Sequence, residues 1–355
     1  MNDRYYAASV RIDKRQVGPG KPCFIIAEAG VNHNGNYKLA RKMVDAAVEA
    51  GADAIKFQTF KTDQVISQIA PKARYQLKSA EDLESQLEMV RKLELPFDEF
   101  EKLYAYCQVK GISFLSTPFD TESINFLEKL GVSAFKIASG EITNIPFLAH
   151  IASKKRPLIV STGMSNLGEI EMALDAIRCQ GNRDIVLLHC VSSYPAKPDD
   201  VNLRAMQTMR IAFGVPVGYS DHTLGIEIPI AAVALGACIV EKHFTLDRNL
   251  SGPDHQASLE PAELNAMVRG IRTVERAIGD GIKRPTSTEK ELSAIARRSL
   301  VAAADIPVGT ILTEEMVAVK RPGTGLPPLV KPYLIGRTTR ISIGAGELIT
   351  LEMLS

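Results

Sequence analysis

No stretch of the 355-residue sequence is both long and apolar enough to cross a bilayer: the longest apolar run, Ile228 to Val240, falls well short of the roughly 20 residues a spanning helix needs. Met1 to Gln16 is polar and charged and lacks the apolar core of a secretory signal. Excess charge is also lacking. With 42 basic and 41 acidic residues the net charge is +1, which excludes a global field for gathering nucleic acid or an anionic membrane but leaves room for a local basic pocket. Cysteine is sparse. Cys23, Cys107, Cys179, Cys190 and Cys238 are odd in number, form no C-x-x-C pair and mostly sit in apolar runs, so they read as reduced packing thiols of a cytoplasmic protein. No G-x-G-x-x-G follows the first apolar run, which argues against a doubly wound, dinucleotide-binding sheet.

What is present is a regular alternation. Short apolar strands are predicted at Cys23–Glu28, Ala54–Thr59, Ser113–Thr117, Ala134–Ala138, Leu158–Ser161, Ile185–His189, Val215–Gly218 and Cys238–Glu241. Helical patterns separate them, as at Tyr37–Ala50, Pro96–Lys110 and Pro261–Ile278. Eight strands buried on both faces, each followed by a helix, predict an α/β fold of the (β/α)₈ TIM-barrel type over residues 1–282. An insertion of about 35 residues after the second strand exceeds ordinary loop length and marks a functional segment. After a linker at 283–298, which holds a short helix from Glu289 to Arg297, the pattern changes to short β runs and turns. Residues 299–355 therefore read as a β-rich module of about 55 residues, marginal alone and expected to dock on a barrel.

In such a barrel the C-terminal strand ends form the site. They carry Glu28, Lys56 with Gln58, Thr117 with Phe119 and Asp120, Lys136 with Ser139 and Glu141, Ser161 with Thr162, His189 with Ser192 and Tyr194, Ser220 with Asp221 and His222, and Glu241 with His243. Lysines inside apolar strands are costly unless each meets an anion, and the hydroxyls beside them add neutral donors, so this composition fits a phosphate. Glu28, Glu141, Glu241 and Asp254 are either counter-charges or proton carriers. His222 and His243, near the ends of consecutive strands, can both reach a divalent cation while leaving positions for water or substrate. Two imidazoles with oxygen ligands suit manganese, iron, cobalt or zinc. His33, His189 and His255 read first as structural hydrogen-bonding groups, and His150 as a helical residue without a functional role.

Several stretches in order resemble the sialic acid synthases and their relatives that make legionaminic and pseudaminic acids. They are Ile26 to Gly35, Ala54 to Thr59, Phe135 to Glu141, His189 to Pro195, Gly218 to Thr223 and Glu241 to Leu246, and Lys320 to Gly323 resembles the antifreeze-like (SAF) domain that follows the barrel in that family. The resemblance implies condensation of phosphoenolpyruvate with an open-chain N-acetylated mannosamine, giving a nine-carbon 3-deoxy-2-ulosonic acid and phosphate. It places Lys56, Thr117, Lys136, Ser139, Ser161 and Ser220 around phosphoenolpyruvate. It places Gln58, Phe119, Tyr194, Asp254 and Arg321 on the amino sugar. His222 and His243 would hold the metal, typically manganese, with magnesium or cobalt as alternatives, and Glu28, Glu141 and Glu241 would share ring opening and water activation. Arg321 would come from the other subunit of a domain-swapped homodimer. Sialic acid synthases proper have an asparagine where this chain has Ser192, so a 2,4-diacetamido-2,4,6-trideoxymannose acceptor, as for legionaminate synthases, is the alternative to N-acetylmannosamine. Two competing readings are a metal-dependent aldolase using pyruvate itself and a catalytically silent carbohydrate- or ice-binding protein.

Overall fold

The computed structural model describes residues 6–70 and 85–355, so the middle of the long insertion and the first five residues of the polar N-terminal segment lie outside the described residues. The chain forms two compact units, one through Gly279 and one from Asp280.

In the first unit a short antiparallel hairpin, β1 (Val10–Ile12) and β2 (Arg15–Val17), precedes the barrel. The parallel barrel strands are β3 (Phe24–Gly30), β4 (Ala54–Thr59), β5 (Ser113–Pro118), β6 (Phe135–Ile137), β7 (Leu158–Ser161), β8 (Ile185–Cys190), β9 (Val217–Asp221) and β10 (Ile239–His243). Their ladder order is β5-β4-β3-β10-β9-β8-β7-β6, and β5 packs beside β6 to bring the ring nearly to closure. The hairpin was not expected from the polar N-terminal segment. Only Val10, Ile12 and Val17 carry its packing, and they join Phe24, Ile26, Ala54, Leu115, Ile159, Val186, Leu188 and Ile239 in the barrel's interior core.

Helices clothe the outside. Tyr37–Ala50 starts where the Asn36 side chain accepts from the Lys38 and Leu39 amides and stops at Gly51, whose φ of 79° a side chain would resist. Its buried face meets the outward residues of the strands in the larger core layer. The insertion is not a bare loop: Thr62–Val65 and Gln86–Leu93 are helical, the second opened by a Ser85–Glu88 capping box. β9 and β10 run two or three residues past their predicted ends, so Ser220, Asp221 and His243 are strand residues. No helix among the described residues is long and apolar enough to cross a membrane.

In the second unit, Ser287–Ala296 is a helix capped by Thr286, and β11 (Ser299–Ala302) pairs antiparallel with β12 (Val317–Lys320). The further runs expected at Pro307–Gly309 and Thr338–Ile343 appear only as isolated bridges near them, such as Ile306 with Ile343 and Ile311 with Thr338. Leu300, Ile306, Leu312, Val317, Leu334, Ile343 and Ile349 form this unit's own small core.

Candidate active site

Side chains of a strand alternate between faces, so each barrel strand sends every second residue inward. Beyond the apolar core contributed by β3–β10, the next inward positions are Glu28, Lys56, Lys136, Ser161, Ser220 and Glu241, followed by Gln58, Thr117, Cys190, His222 and His243. All of them line one cavity of about 450 Å³. That volume is within the range of small-molecule sites.

At the cavity floor the charges are buried and interlocked. Lys56, 3% exposed, lies 2.8 Å from Glu28 and 3.8 Å from Glu241 and donates to Thr117 Oγ1 at 2.9 Å. Lys136 donates to Ser161 Oγ at 2.7 Å and stands 3.6 Å from Glu241, which also accepts from Ser220 Oγ at 3.0 Å. Glu241 thus sits between two cations, whereas Glu28 has one. Burial pushes Glu28 up to about 7, with the charge on Lys56 opposing and that on Glu241 assisting. Burial acts on Glu241 in the same sense, but Lys136, Lys56 and the Ser220 bond outweigh it and hold that carboxyl below its ordinary value. Lys56 is raised, because Glu241 and Glu28 together overcome its burial, while burial of Lys136 prevails and lowers it. Of the two carboxylates, Glu28 is therefore the one that holds its proton more tightly.

Ser139 and Ser192 complete the lining on the β6–β8 side. Gly163 N–H donates to Ser139 Oγ at 2.9 Å, and a Cβ at Gly163 would collide with the hydroxyls of both Ser192 and Ser139. Only glycine lets the backbone approach these two serines so closely.

The His222 and His243 rings lie 5.5 Å apart, with Tyr194 4.1 Å from the first and 5.8 Å from the second. His222 Nδ1 is 2.8 Å from the Val191 carbonyl, which makes Nδ1–H the donor and orients the ring. His243 Nδ1 is buried with no hydrogen-bond partner. Burial, then the charge of His222, drives His243 well below its ordinary pKa, so it stays neutral. Burial acts on His222 in the same sense, but Cys190 and the Val191 carbonyl outweigh it and raise that imidazole instead. Two imidazoles, one oriented by a carbonyl and one with an orphaned nitrogen, are of a type that can hold a divalent cation. Among the described residues no third histidine, cysteine or carboxylate joins them in a ligand cluster. Asp254 lines the cavity beside them, and burial raises it to about 6 against the pull of His222.

Not every candidate meets here. Glu141 lies in a 3₁₀ turn after β6, its carboxylate accepting from Asn144 Nδ2 at 2.7 Å, outside the cavity lining. Asp120 caps the helix Thr121–Leu130 by accepting from the Ser123 amide at 2.7 Å. Asp221 points to the outer face of the barrel, where Lys242 meets it at 2.6 Å with neither side chain exposed. Thr162 turns to the Leu188 carbonyl. His189 and His255 are held by the Val201 carbonyl and Thr245, and His33 Nδ1 accepts from Gly35. Arg321 belongs to the second unit and is exposed there.

Two features were missed. Cys190, taken for a packing residue, lines the cavity with Sγ 3.7 Å from His222 Nδ1; its inward place two residues after Leu188 was the available signal. The other is an apolar wall in which Phe60, Val65, Val90 and Leu93 of the insertion join Phe119, residues that come together only in the folded chain.

Fold and cavity together define a (β/α)₈ barrel whose cavity has a lysine–carboxylate floor, a serine side and a pair of histidines. The chain belongs to the NeuB family, whose model matches residues 43–283, and a SAF domain model matches residues 297–355. It is 50% identical over 331 residues to the N,N'-diacetyllegionaminic acid synthase of Campylobacter jejuni, covering 93% of this chain and 99% of the relative. It is 48% identical over 339 residues to the enzyme of the same name from Legionella pneumophila, covering 94% and 95%. Among solved structures, the N-acetylneuraminic acid synthetase of Leptospira borgpetersenii superposes with a TM-score of 0.71 at 39% identity, covering 81% of this chain and 95% of the other.

Proposed function

We propose that this nonulosonic acid synthase condenses phosphoenolpyruvate with an open-chain N-acetylated amino sugar of the mannose series, either N-acetylmannosamine or its 2,4-diacetamido-2,4,6-trideoxy counterpart. The products are a nine-carbon 3-deoxy-2-ulosonic acid and phosphate. The observation that carries this reading is the floor itself, in which two buried lysines and a set of hydroxyls face two carboxylates of different proton affinity.

Lys56 and Lys136, with Thr117, Ser139, Ser161, Ser192 and Ser220, bind the phosphate and carboxylate of phosphoenolpyruvate. Gln58, Phe119, Tyr194 and Asp254 position the sugar so that its aldehyde carbon faces C3 of phosphoenolpyruvate. A divalent cation on His222 and His243, manganese before magnesium or cobalt, supplies Lewis-acid polarisation of the aldehyde when bound. As the C3–C1 bond forms, Glu28 gives its proton to the aldehyde oxygen, and it recovers one from the water that adds at the electron-poor C2. Glu241 remains ionised and steadies the positive character there. The C2 hydroxyl proton leaves with the phosphate as the C–O bond breaks and the ketone forms. With its carboxylate on Asn144, Glu141 has no step in this scheme.

The expected result is phosphate release from phosphoenolpyruvate that requires both manganese and an amino sugar and stops when the metal is chelated. A panel of mannosamine derivatives that released none would sink the reading, and equal turnover with pyruvate in place of phosphoenolpyruvate would favour the aldolase instead.

The reading extends to the assembly and its compartment. Arg321 of a second subunit closes over the sugar in a domain-swapped homodimer, and the free cysteines and these substrates suit the cytoplasm. Support comes from the family resemblance and from the exposure of Arg321 in its own unit. Mixing His222→Ala with Arg321→Ala chains should restore activity that neither has alone; silent heterodimers would count against sharing.

A further inference from the structure

The cavity has two unlike sides. Ser139, Ser161, Ser192 and Ser220 stand on the β6–β9 side, next to His222, just past β9, and His243 of β10. Over β3–β5, beyond Gln58 of β4, the cavity carries Val31, Phe60, Val65, Val90, Leu93 and Phe119, which pack on one another as a small apolar cluster. Phe60 and Phe119 meet edge to face at 6.4 Å. The insertion supplies much of this wall, and polar clamps hold it in place. Glu94 accepts from the Thr62 amide at 2.9 Å and from Thr62 Oγ1 at 2.8 Å, and Lys61 reaches the same carboxylate at 3.2 Å. Helix Thr62–Val65 and helix Gln86–Leu93 are therefore fixed with Val65 and Val90 toward the cavity.

Chemistry fixes which end of the acceptor meets which side. In the condensation read above the aldehyde lies at the histidines beside phosphoenolpyruvate, and an acceptor spanning the cavity from there puts its farthest carbons on the β3–β5 wall. None of the six wall side chains offers a hydrogen-bond partner, and none carries a cation to meet a phosphate. Hydroxyls pressed there lose water and gain nothing, whereas methyl groups bury favourably.

Resting on the condensation reading above, we propose that Val65 and Val90 are specificity-determining residues. The insertion wall selects an acceptor whose far end presents a deoxy-methyl and the methyl of an acetamido group and rejects one ending in a hydroxymethyl or a phosphate. Deeper residues set the reaction and this wall sets the sugar.

The test is a comparison of kcat/KM by phosphate release with three acceptors: 2,4-diacetamido-2,4,6-trideoxymannose, N-acetylmannosamine and N-acetylmannosamine 6-phosphate. The wild-type enzyme is expected to favour the first by about 100-fold or more. Val65→Asn and Val90→Asn should each cut that preference by about 10-fold through the acceptor KM, with the phosphoenolpyruvate KM within about twofold of wild type. Equal wild-type efficiency on the first two acceptors, or a preference for the phosphorylated one, overturns the inference and leaves the condensation intact. Variants that lose efficiency equally on all acceptors also overturn it. No phosphate from any acceptor overturns the condensation itself and the inference with it. The wild-type panel needs no variant to fold.

Discussion

Lys136→Met is expected to lower kcat/KM for phosphoenolpyruvate by about 10³-fold, some 4 kcal/mol of transition-state stabilisation, while moving folding stability by no more than about 1 kcal/mol. The asymmetry follows from what surrounds the ammonium. It is buried, it bonds to Ser161 Oγ and to the Ile137 carbonyl, and Glu241 is 3.6 Å away. Burial outweighs that carboxylate and lowers the pKa of Lys136, so in the ligand-free site its charge is under-compensated. On the proposed reading an anionic substrate would supply the missing compensation, and the charge would be felt most strongly while negative charge builds on the departing phosphate. Methionine fills similar space without the charge, and Glu241 keeps Lys56 and the Ser220 hydroxyl as partners. Steady-state kinetics together with calorimetric binding of phosphoenolpyruvate and thermal unfolding would check this. A fall of less than about 10-fold would mean that Lys136 serves only as a counter-charge in the barrel.

The barrel was legible because each of its strands is a short apolar run and the interior demands period two. The same period, applied to strand ends of the right length, separates inward from outward side chains. With β9 and β10 cut short at Gly218 and Glu241, the alternation could not be followed to Asp221 and His243, and Asp221 was grouped with the inward Ser220 and His222. Lys56, Lys136, His222 and His243 were readable as polar groups embedded in such runs. Glu141 was drawn in by adjacency to a strand end, but the chain turns there into a 3₁₀ segment that carries its carboxylate to Asn144. The N-terminal hairpin escaped because three buried side chains in a polar segment leave no periodic trace. Of the insertion wall only Phe119 was legible; Phe60, Val65 and Val90 escaped because they join it only through tertiary packing.

Lys242→Met should show the opposite pattern to Lys136→Met, costing about 3–5 kcal/mol of stability because it strands a buried carboxylate. Lys242 belongs to the same strand as Glu241 and His243 but faces outward, where register sets it opposite Asp221. Both side chains have no exposure, and the pair spans 2.6 Å. Asp221 further accepts from Tyr219 OH at 3.0 Å, from the Thr223 amide at 3.0 Å and from Thr223 Oγ1 at 2.9 Å, and Lys242 also donates to the Thr223 carbonyl. Removing only the cation leaves the carboxylate in an apolar layer with neutral donors and no counter-charge. Adding Asp221→Asn removes the stranded charge while keeping an oxygen for Tyr219 and Thr223, so the double variant should recover most of the loss. What stays lost is about 1 kcal/mol for the bond to the Thr223 carbonyl. Denaturant unfolding of the two single variants and the double one would measure the coupling. A double variant no more stable than Lys242→Met would show that the bonds to Thr223, and not the charge pair, hold this corner together. His222 lies between Asp221 and Thr223, so the corner that the outer pair fixes is the one that turns an imidazole into the cavity.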